Sequence, residues 1–330
     1  MMFHSFLLHT FLCVFIHIVL GNTELEEFGK FIKQYNKVYK NPKEYQYRLA
    51  VFTSNLNTAR HLQKEELGTA EYGITQFSDL TDEEFTRNSV MYLGTPPIKI
   101  VKQENVEATP VQRSCDWRKA GVISKVKNQL RCGSCWAFAS VGNIEAQWGI
   151  LGHPVNLSVQ QVLDCGPCEE GCRGGYFWDA YITVMKEGGL ASEEDYPYEG
   201  ITEHCRSYKK VANIPDFIML PRNEKIMAYY VMNYGTIAVA INDVLLKHYI
   251  RGVIQNANCD PNHLNHAVLI VGYSQDSRGR FWIVKNSWGE SWGENGFFRI
   301  SLGKNTCGIS HWPLSANVTY RGSQRINCPT

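Results

Sequence analysis

The sequence predicts an α+β protein, and three observations carry that prediction. Residues 115 to about 225 hold helical signals, residues beyond 235 break into short β-branched and aromatic runs, and residues 22 to about 93 form a polar, helix-patterned segment without cysteine. At 330 residues, 44% hydrophobic and 20% charged, the chain can bury a substantial core and is biased neither to disorder nor to fibre. A formal net charge of +1 gives no electrostatic reason to expect nucleic acid or an acidic membrane surface as partner.

The chain opens on Phe6 to Leu20, a 15-residue apolar stretch that ends at a small-residue site, Gly21. It is too short to span a bilayer comfortably and reads as a signal peptide over 1–21, although no Lys or Arg precedes it and His9 and His17 interrupt it. The other reading is a buried N-terminal helix. Removing the stretch with Cys13 leaves ten of eleven cysteines in a secretory context, which argues for disulfides. No second apolar run approaches 18 residues, so no membrane span is expected.

Within the leading segment Glu44, Arg48, Phe52, Asn55, Ala59 and Gln63 recur at the spacing of one helix face. Gly73, Thr75, Phe77 and Asp79 follow in YGITQFSD. From Gly94 to Ser114 two adjacent prolines and the loss of periodicity mark an exposed linker open to proteolysis, a few residues before Asp116, Trp117 and Arg118. Cys135 to Gln147 is apolar nearly all round at its start and predicts a buried helix with Ser134 as N-cap; Ser158 with Gln161 forms a capping-box pattern before VLDC. Strands are predicted in TIAVAIN, HAVLIVGY, RFWIVKN and GFFRI.

Three residues carry the candidate chemistry. Cys135 stands in CGSCW, His266 follows 131 residues later in LNHAVLIVGY, and Asn286 follows 151 residues after the cysteine in VKNSWG. A thiol at its ordinary pKa of about 8.5 is mostly protonated at neutral pH, and only the thiolate attacks a carbonyl well. The start of a helix and an imidazolium beside Cys135 would both depress that value. Two other cysteine chemistries compete: CGSC and CGPC (Cys165 to Cys168) look like thioredoxin-type redox motifs, and Cys165, Cys168, Cys172 and Cys205 form a zinc-like cluster. The helical VQQVLD before CGPC lacks the strand a redox motif follows, and the secretory route favours bridges over a metal.

Together CGSCW and its distant His and Asn resemble the papain-like cysteine proteases. The stripe on the leading helix resembles the ERFNAQ pattern of the cathepsin F and W subgroup, and YGITQFSD is similar to GxNxFxD with Thr75 in place of Asn. The resemblance implies a papain-like two-lobe fold, a helical lobe and a β-barrel lobe with an active-site cleft between them, behind a helical inhibitory propeptide. It places the propeptide with its linker at 22–111 and the peptidase domain at 112–330. It implies a cysteine-type endopeptidase made as a zymogen and acting through a thioester on Cys135. His266 would be the acid and base, Asn286 would orient it, Trp288 would shield that bond, and Gln129 would supply the oxyanion donor. Gly174, Gly175, Phe177, Ala240, Leu264 and Trp312 align with substrate-binding positions. The implied bridges are Cys132 with Cys172, Cys165 with Cys205 and Cys259 with Cys307. Cys115, Cys168 and Cys328 are left over, extra cysteines that resemble cathepsin W more than cathepsin F, and an odd count leaves at least one thiol free or intermolecular unless the pairing differs.

The sequence departs from the family pattern at Leu130, where Gly is usual, at Asn265, where Asp commonly precedes the His, and at Thr236, where Pro is usual. A large Trp312 predicts a shallow S2 pocket. Leu130 and Trp312 also motivate the alternative of a catalytically weak protein that binds peptides or proteins. No cofactor and no metal are expected. Expected partners are peptide or protein substrates, the chain's own propeptide and cystatin-type inhibitors. Sequons at Asn156 and Asn317 predict glycans. The expected route is secretory, to the lysosome or the extracellular space, with retention in the endoplasmic reticulum as a further possibility. Acid is expected to promote maturation as carboxylates such as Glu44 and Asp79 lose their contacts.

Overall fold

The computed structural model describes residues 23–87, 111–166, 171–256, 258–318 and 325–330. The predicted signal peptide, most of the predicted linker, Cys168 and the Phe177 side chain lie outside the described residues.

The leading segment is helical over 23–34 (α1) and Pro42–Glu65 (α2). Asn41 starts α2 by accepting from the Glu44 N–H, with proline in the first turn. Phe28, Phe31 and Phe52, all buried, lock α1 to α2, ringed by Tyr35, Tyr39 and Tyr45. The predicted stripe is one face: Phe52, Asn55 and Ala59 are the buried residues of α2. Arg48 makes a two-pronged ion pair with Glu84 at 2.6 and 2.9 Å. Gln63 clamps the backbone of Ala70 and Tyr72. Glu44 makes only an exposed contact to the Lys40 N–H, whereas buried Asp79 accepts from Lys37 and Tyr39. The expected contribution of Glu44 therefore passes to Glu84, whose carboxylate the Arg48 hydrogen bonds hold below its usual range.

The segment ends in a strand, Glu71–Tyr72 (β1), and a short helix, Asp82–Thr86 (α3), capped at both N-terminal positions by Thr81 and Glu84. β1 pairs antiparallel with Tyr249–Arg251 (β5), so the leading segment adds a strand to the main domain.

The main domain is an α+β structure, as predicted. Its central helix Cys135–Ile150 (α4) is buried along its whole length, which is why its sequence shows no polar face. Around it lie Val159–Cys165 (α5) and Phe177–Lys186 (α6). The strand-built half is an eight-stranded sheet. Its path runs Asp216–Met219 (β3), Leu314–Asn317 (β10), Ile237–Ile241 (β4), His266–Asp276 (β7), Gly279–Lys285 (β8), Phe297–Ser301 (β9) and Val253–Ile254 (β6), with Cys115–Asp116 (β2) on β7. Helix Glu224–Asn233 (α7) packs on the far side. Strand β7 serves both cores: Ala267, Leu269 and Val271 join the cluster around α4, while Val268 and Ile270 join the barrel cluster with α7. Burial on both faces explains a continuous apolar run instead of alternation.

All three expected bridges form, Cys132–Cys172, Cys165–Cys205 and Cys259–Cys307. These pairings exclude the zinc-cluster reading and the CGPC redox pair, because Cys165, Cys172 and Cys205 are already bonded to other cysteines. A fourth bridge, Cys115–Cys328, was not foreseen: it joins residues 213 apart and ties the C-terminal tail to β2, where Asp116 N–H also donates to Pro329 at 2.8 Å. Two of the three leftover cysteines thus pair with each other. Thr236 turns its departure to use, since its carbonyl and hydroxyl both accept from buried Asn143 on α4. Both sequon asparagines, Asn156 and Asn317, are exposed.

Candidate active site

Cys135 is the first residue of α4 and the free cysteine among those described. Gly133 in CGSCW is required by contact, because a Cβ there would lie 2.7 Å from the Cys172 carbonyl. Gly175 is constrained likewise: a Cβ would meet the Trp136 ring at 2.7 Å. Ser134 occupies the N-cap position but does not cap. Its hydroxyl pairs with Tyr198 at 2.7 Å, which leaves the first N–H groups of α4 turned toward the thiol. The Ser158 expectation holds by half: Ser158 accepts from Gln161 N–H, while the Gln161 side chain reaches Ala191.

His266 starts β7 on the opposite lobe and is completely buried. Its Nε2 and the Asn286 side-chain oxygen are 2.8 Å apart, and Trp288 stacks on the ring at 4.8 Å. The other ring nitrogen, Nδ1, is buried and without a hydrogen-bond partner among the described residues. The thiol lies against the backbone N–H of Ala267, the residue after His266, so the two lobes meet at this point. Gln129 is fixed from the same side. Ser287 Oγ donates to its side-chain oxygen at 2.6 Å, its amide donates to Cys132 O, and its backbone N–H donates to Ser287 O. Sequence reading missed Ser287 and Tyr198, whose hydroxyl donates to Gln129 O at 2.9 Å.

The electrostatics correct one expectation. In this closed form the thiol is not depressed: burial pushes Cys135 up to about 12, the charge of Asp243 adds to that, and the N–H groups of Ala267, Trp136 and Cys135 pull the other way without prevailing. Burial likewise lowers His266, opposed by Asp243 and by Asn286. Sulfur and ring both favour their neutral forms while covered.

The leading segment sits directly on this site. Phe77 and Phe85 pack edge-on against Trp288 at 5.1 and 5.5 Å, and Gln76 donates to Trp288 O. Thr75, the residue that replaces Asn, donates to Lys247 O at 2.6 Å, and Asn55 accepts from the Lys247 ammonium. Leu130 is 55% exposed at φ +57, a left-handed conformation that costs a non-glycine residue on the order of 1 kcal/mol. It lines the gap between the two segments with Phe77, Phe85 and Trp288. Gln129 is nevertheless held in place, so Leu130 does not displace it.

Of the expected substrate-binding residues, Gly174, Gly175, Ala240 and Leu264 are buried, and Trp312 is wedged between Trp178 at 5.7 Å and the Arg222 guanidinium at 4.7 Å.

The sequence matches the papain family cysteine protease profile over residues 111–317 and the cathepsin propeptide inhibitor domain (I29) over 28–85. It is 47% identical to cathepsin W of Felis catus, over 92% of this chain and 89% of that protein. It is 39% identical to cathepsin F of Mus musculus, over 88% of this chain and 64% of that one. Among solved structures, the recombinant stem bromelain precursor superposes with a TM-score of 0.82 at 34% identity, covering 90% of this chain and 100% of its own. The digestive procathepsin L2 proteinase of Tenebrio molitor larval midgut gives the same TM-score at 33% identity, covering 89% and 100%. The chain belongs to the papain family of cysteine proteases, a cysteine endopeptidase made as a zymogen with a cathepsin-type propeptide laid over its peptidase domain.

Proposed function

We propose that Cys135 is the nucleophile, His266 the proton carrier, Asn286 its orienter and Gln129 an oxyanion donor. The observation that carries this reading is a free cysteine at the start of a buried helix, set against the backbone beside a histidine whose far nitrogen is engaged by Asn286. With Nε2 engaged, Nδ1 is the nitrogen that exchanges a proton with sulfur. Once the propeptide leaves, water and substrate replace a dry protein surface, desolvation relaxes, and the helix start favours the thiolate. Sulfur attacks the peptide carbonyl, and the oxyanion is met by the Gln129 amide and the Cys135 N–H. His266 then protonates the leaving amine, and water attacks the thioester with His266 as base. Gly174 and Gly175 pair with substrate backbone, while Phe177, Ala240, Leu264 and Trp312 line S2, which Trp312 makes shallow.

The proposed organisation is a signal peptide at 1–21, a propeptide with linker at 22–111 and a peptidase domain at 112–330. Glycans on Asn156 and Asn317, inhibition by cystatin-type proteins and delivery to the lysosome, the extracellular space or the endoplasmic reticulum belong to the same reading; both asparagines are accessible, as glycosylation requires. The test is covalent labelling of the processed protein by an epoxide inhibitor. One label per molecule on Cys135, absent in Cys135→Ala, supports the assignment. An unlabelled wild type favours the second reading, a catalytically weak binding protein, which the strained Leu130 and the filled position of Trp312 motivate.

A further inference from the structure

Asp243 lies two residues beyond β4 and is 0% exposed. Its Oδ1 accepts from the Asn265 side-chain amide at 2.6 Å, and its backbone N–H donates to the Asn265 side-chain oxygen at 3.0 Å. The two side chains thus form a reciprocal pair. Asn265 is the residue before His266, and its own N–H donates to Ile241 O at 3.0 Å, in the register that sets Ile241 opposite His266. A carboxylate is commonly found at position 265 itself; here the negative charge stands across the pair, on the neighbouring strand end.

A buried carboxylate is retained at a loss of hydration, which its fixed hydrogen bonds offset only in part. Its charge reaches both members of the site, favouring the imidazolium of His266 and opposing the thiolate of Cys135. Of the neighbouring titratable residues, Lys247 is turned to the propeptide, where it meets Asp82 and Asn55, and His248 is buried with its carbonyl accepting from Gly73 N–H.

We propose that Asp243 is a positioning residue for the Cys135–His266 pair: its buried carboxylate, locked to Asn265 beside the ring, favours the imidazolium over the neutral ring and so helps set the pH range over which the enzyme works. This rests on the catalytic reading of Cys135 and His266. A negative charge beside both groups moves each of their titrations to higher pH, so its removal moves both limbs of the activity profile to lower pH.

The experiment compares matured wild type with Asp243→Asn, measuring iodoacetamide alkylation of Cys135 by peptide mapping and kcat/KM on a peptide substrate, each against pH. The expected result is a downward move of both midpoints by on the order of half a unit to one unit. Their return is expected in the exchange variant Asp243→Asn/Asn265→Asp, which restores one carboxylate to the pair. Should Asp243→Asn not fold, Asp243→Ser, whose hydroxyl still accepts from Asn265, is expected to shift the midpoints in the same direction. Midpoints that stay put in a folded charge-removing variant, with only amplitude or melting temperature lowered, overturn the proposal, as does an exchange variant that fails to return them. Alkylation reports the thiol whether or not peptides are cleaved, so an inactive wild type with a shifting profile would refute the protease reading alone.

Discussion

Protonation of His248 is expected to open the zymogen. This ring is 2% exposed, on the loop that the propeptide crosses, where Gly73 N–H donates to its carbonyl and β1 pairs with β5. Burial lowers its pKa from 6.5 to about 4; the ammonium of Lys247 adds to the depression and Asp82 opposes it. The closed form therefore rejects a proton that the opened form, with His248 near its ordinary value, accepts. Closure keeps its full strength above pH 6.5 and loses it as pH falls from 6.5 toward 4. Relative to pH 7.5, the opening equilibrium gains about 10-fold at pH 5.5 and about 70-fold at pH 4.5, toward a limit of about 300-fold, or about 3 kcal/mol. Glu84, held low by Arg48, starts to weaken the propeptide only as pH falls through the ordinary carboxylate value, at the acid end of this interval, so across most of it protonation of His248 outweighs that of Glu84. The assay is the rate at which intact zymogen captures an active-site epoxide label at pH 4.5, 5.5 and 7.5, for wild type and for His248→Gln. Dividing one by the other cancels the titration of the active-site thiol. A ratio that stays flat within about twofold over that range would falsify the argument.

Two further outcomes follow from the packing. Trp312→Ala removes the ring between Trp178 and Arg222, and is expected to raise kcat/KM for P2 Phe over P2 Val substrates by about 10-fold; equal turnover in wild type and variant contradicts a shallow S2. The Cys115–Cys328 bridge closes 213 residues, shortened by the other three bridges to a path of roughly 100, for which chain entropy gives about 4.7 kcal/mol. Cys115→Ala/Cys328→Ala is thus expected to lower Tm by about 5 to 15 °C in calorimetry, and a change under about 2 °C, or a non-reducing peptide map without the linked pair, refutes the bridge.

Much of this protein can be read locally. A helix with no polar face announces a helix buried all round, as α4 is, and runs of β-branched residues announce strands with both faces covered, as β7 is. The ERFNAQ stripe is a single helix face because 3.6 residues per turn place its members in line. Cys135, His266 and Asn286 were singled out through the family resemblance that their motifs carry, and the fold sets the thiol against the backbone beside His266 and the ring against Asn286. Ser134 was misread because capping preference is a local average, and a neighbour distant in sequence, Tyr198, took its hydroxyl.

What the chain alone determined was the order of helices and strands and the set of reactive side chains, since these depend on periodicity and chemical type within short windows. Only the tertiary structure decided the rest: that Cys115 finds Cys328, that Asp243 faces Asn265, and that His248 is buried on the segment the propeptide pairs with. Those relations join residues from different elements, and the charge state of a side chain depends on how much water its neighbours remove. For that reason the same Cys135 that its motif marks as reactive is held as a neutral thiol while the zymogen is closed.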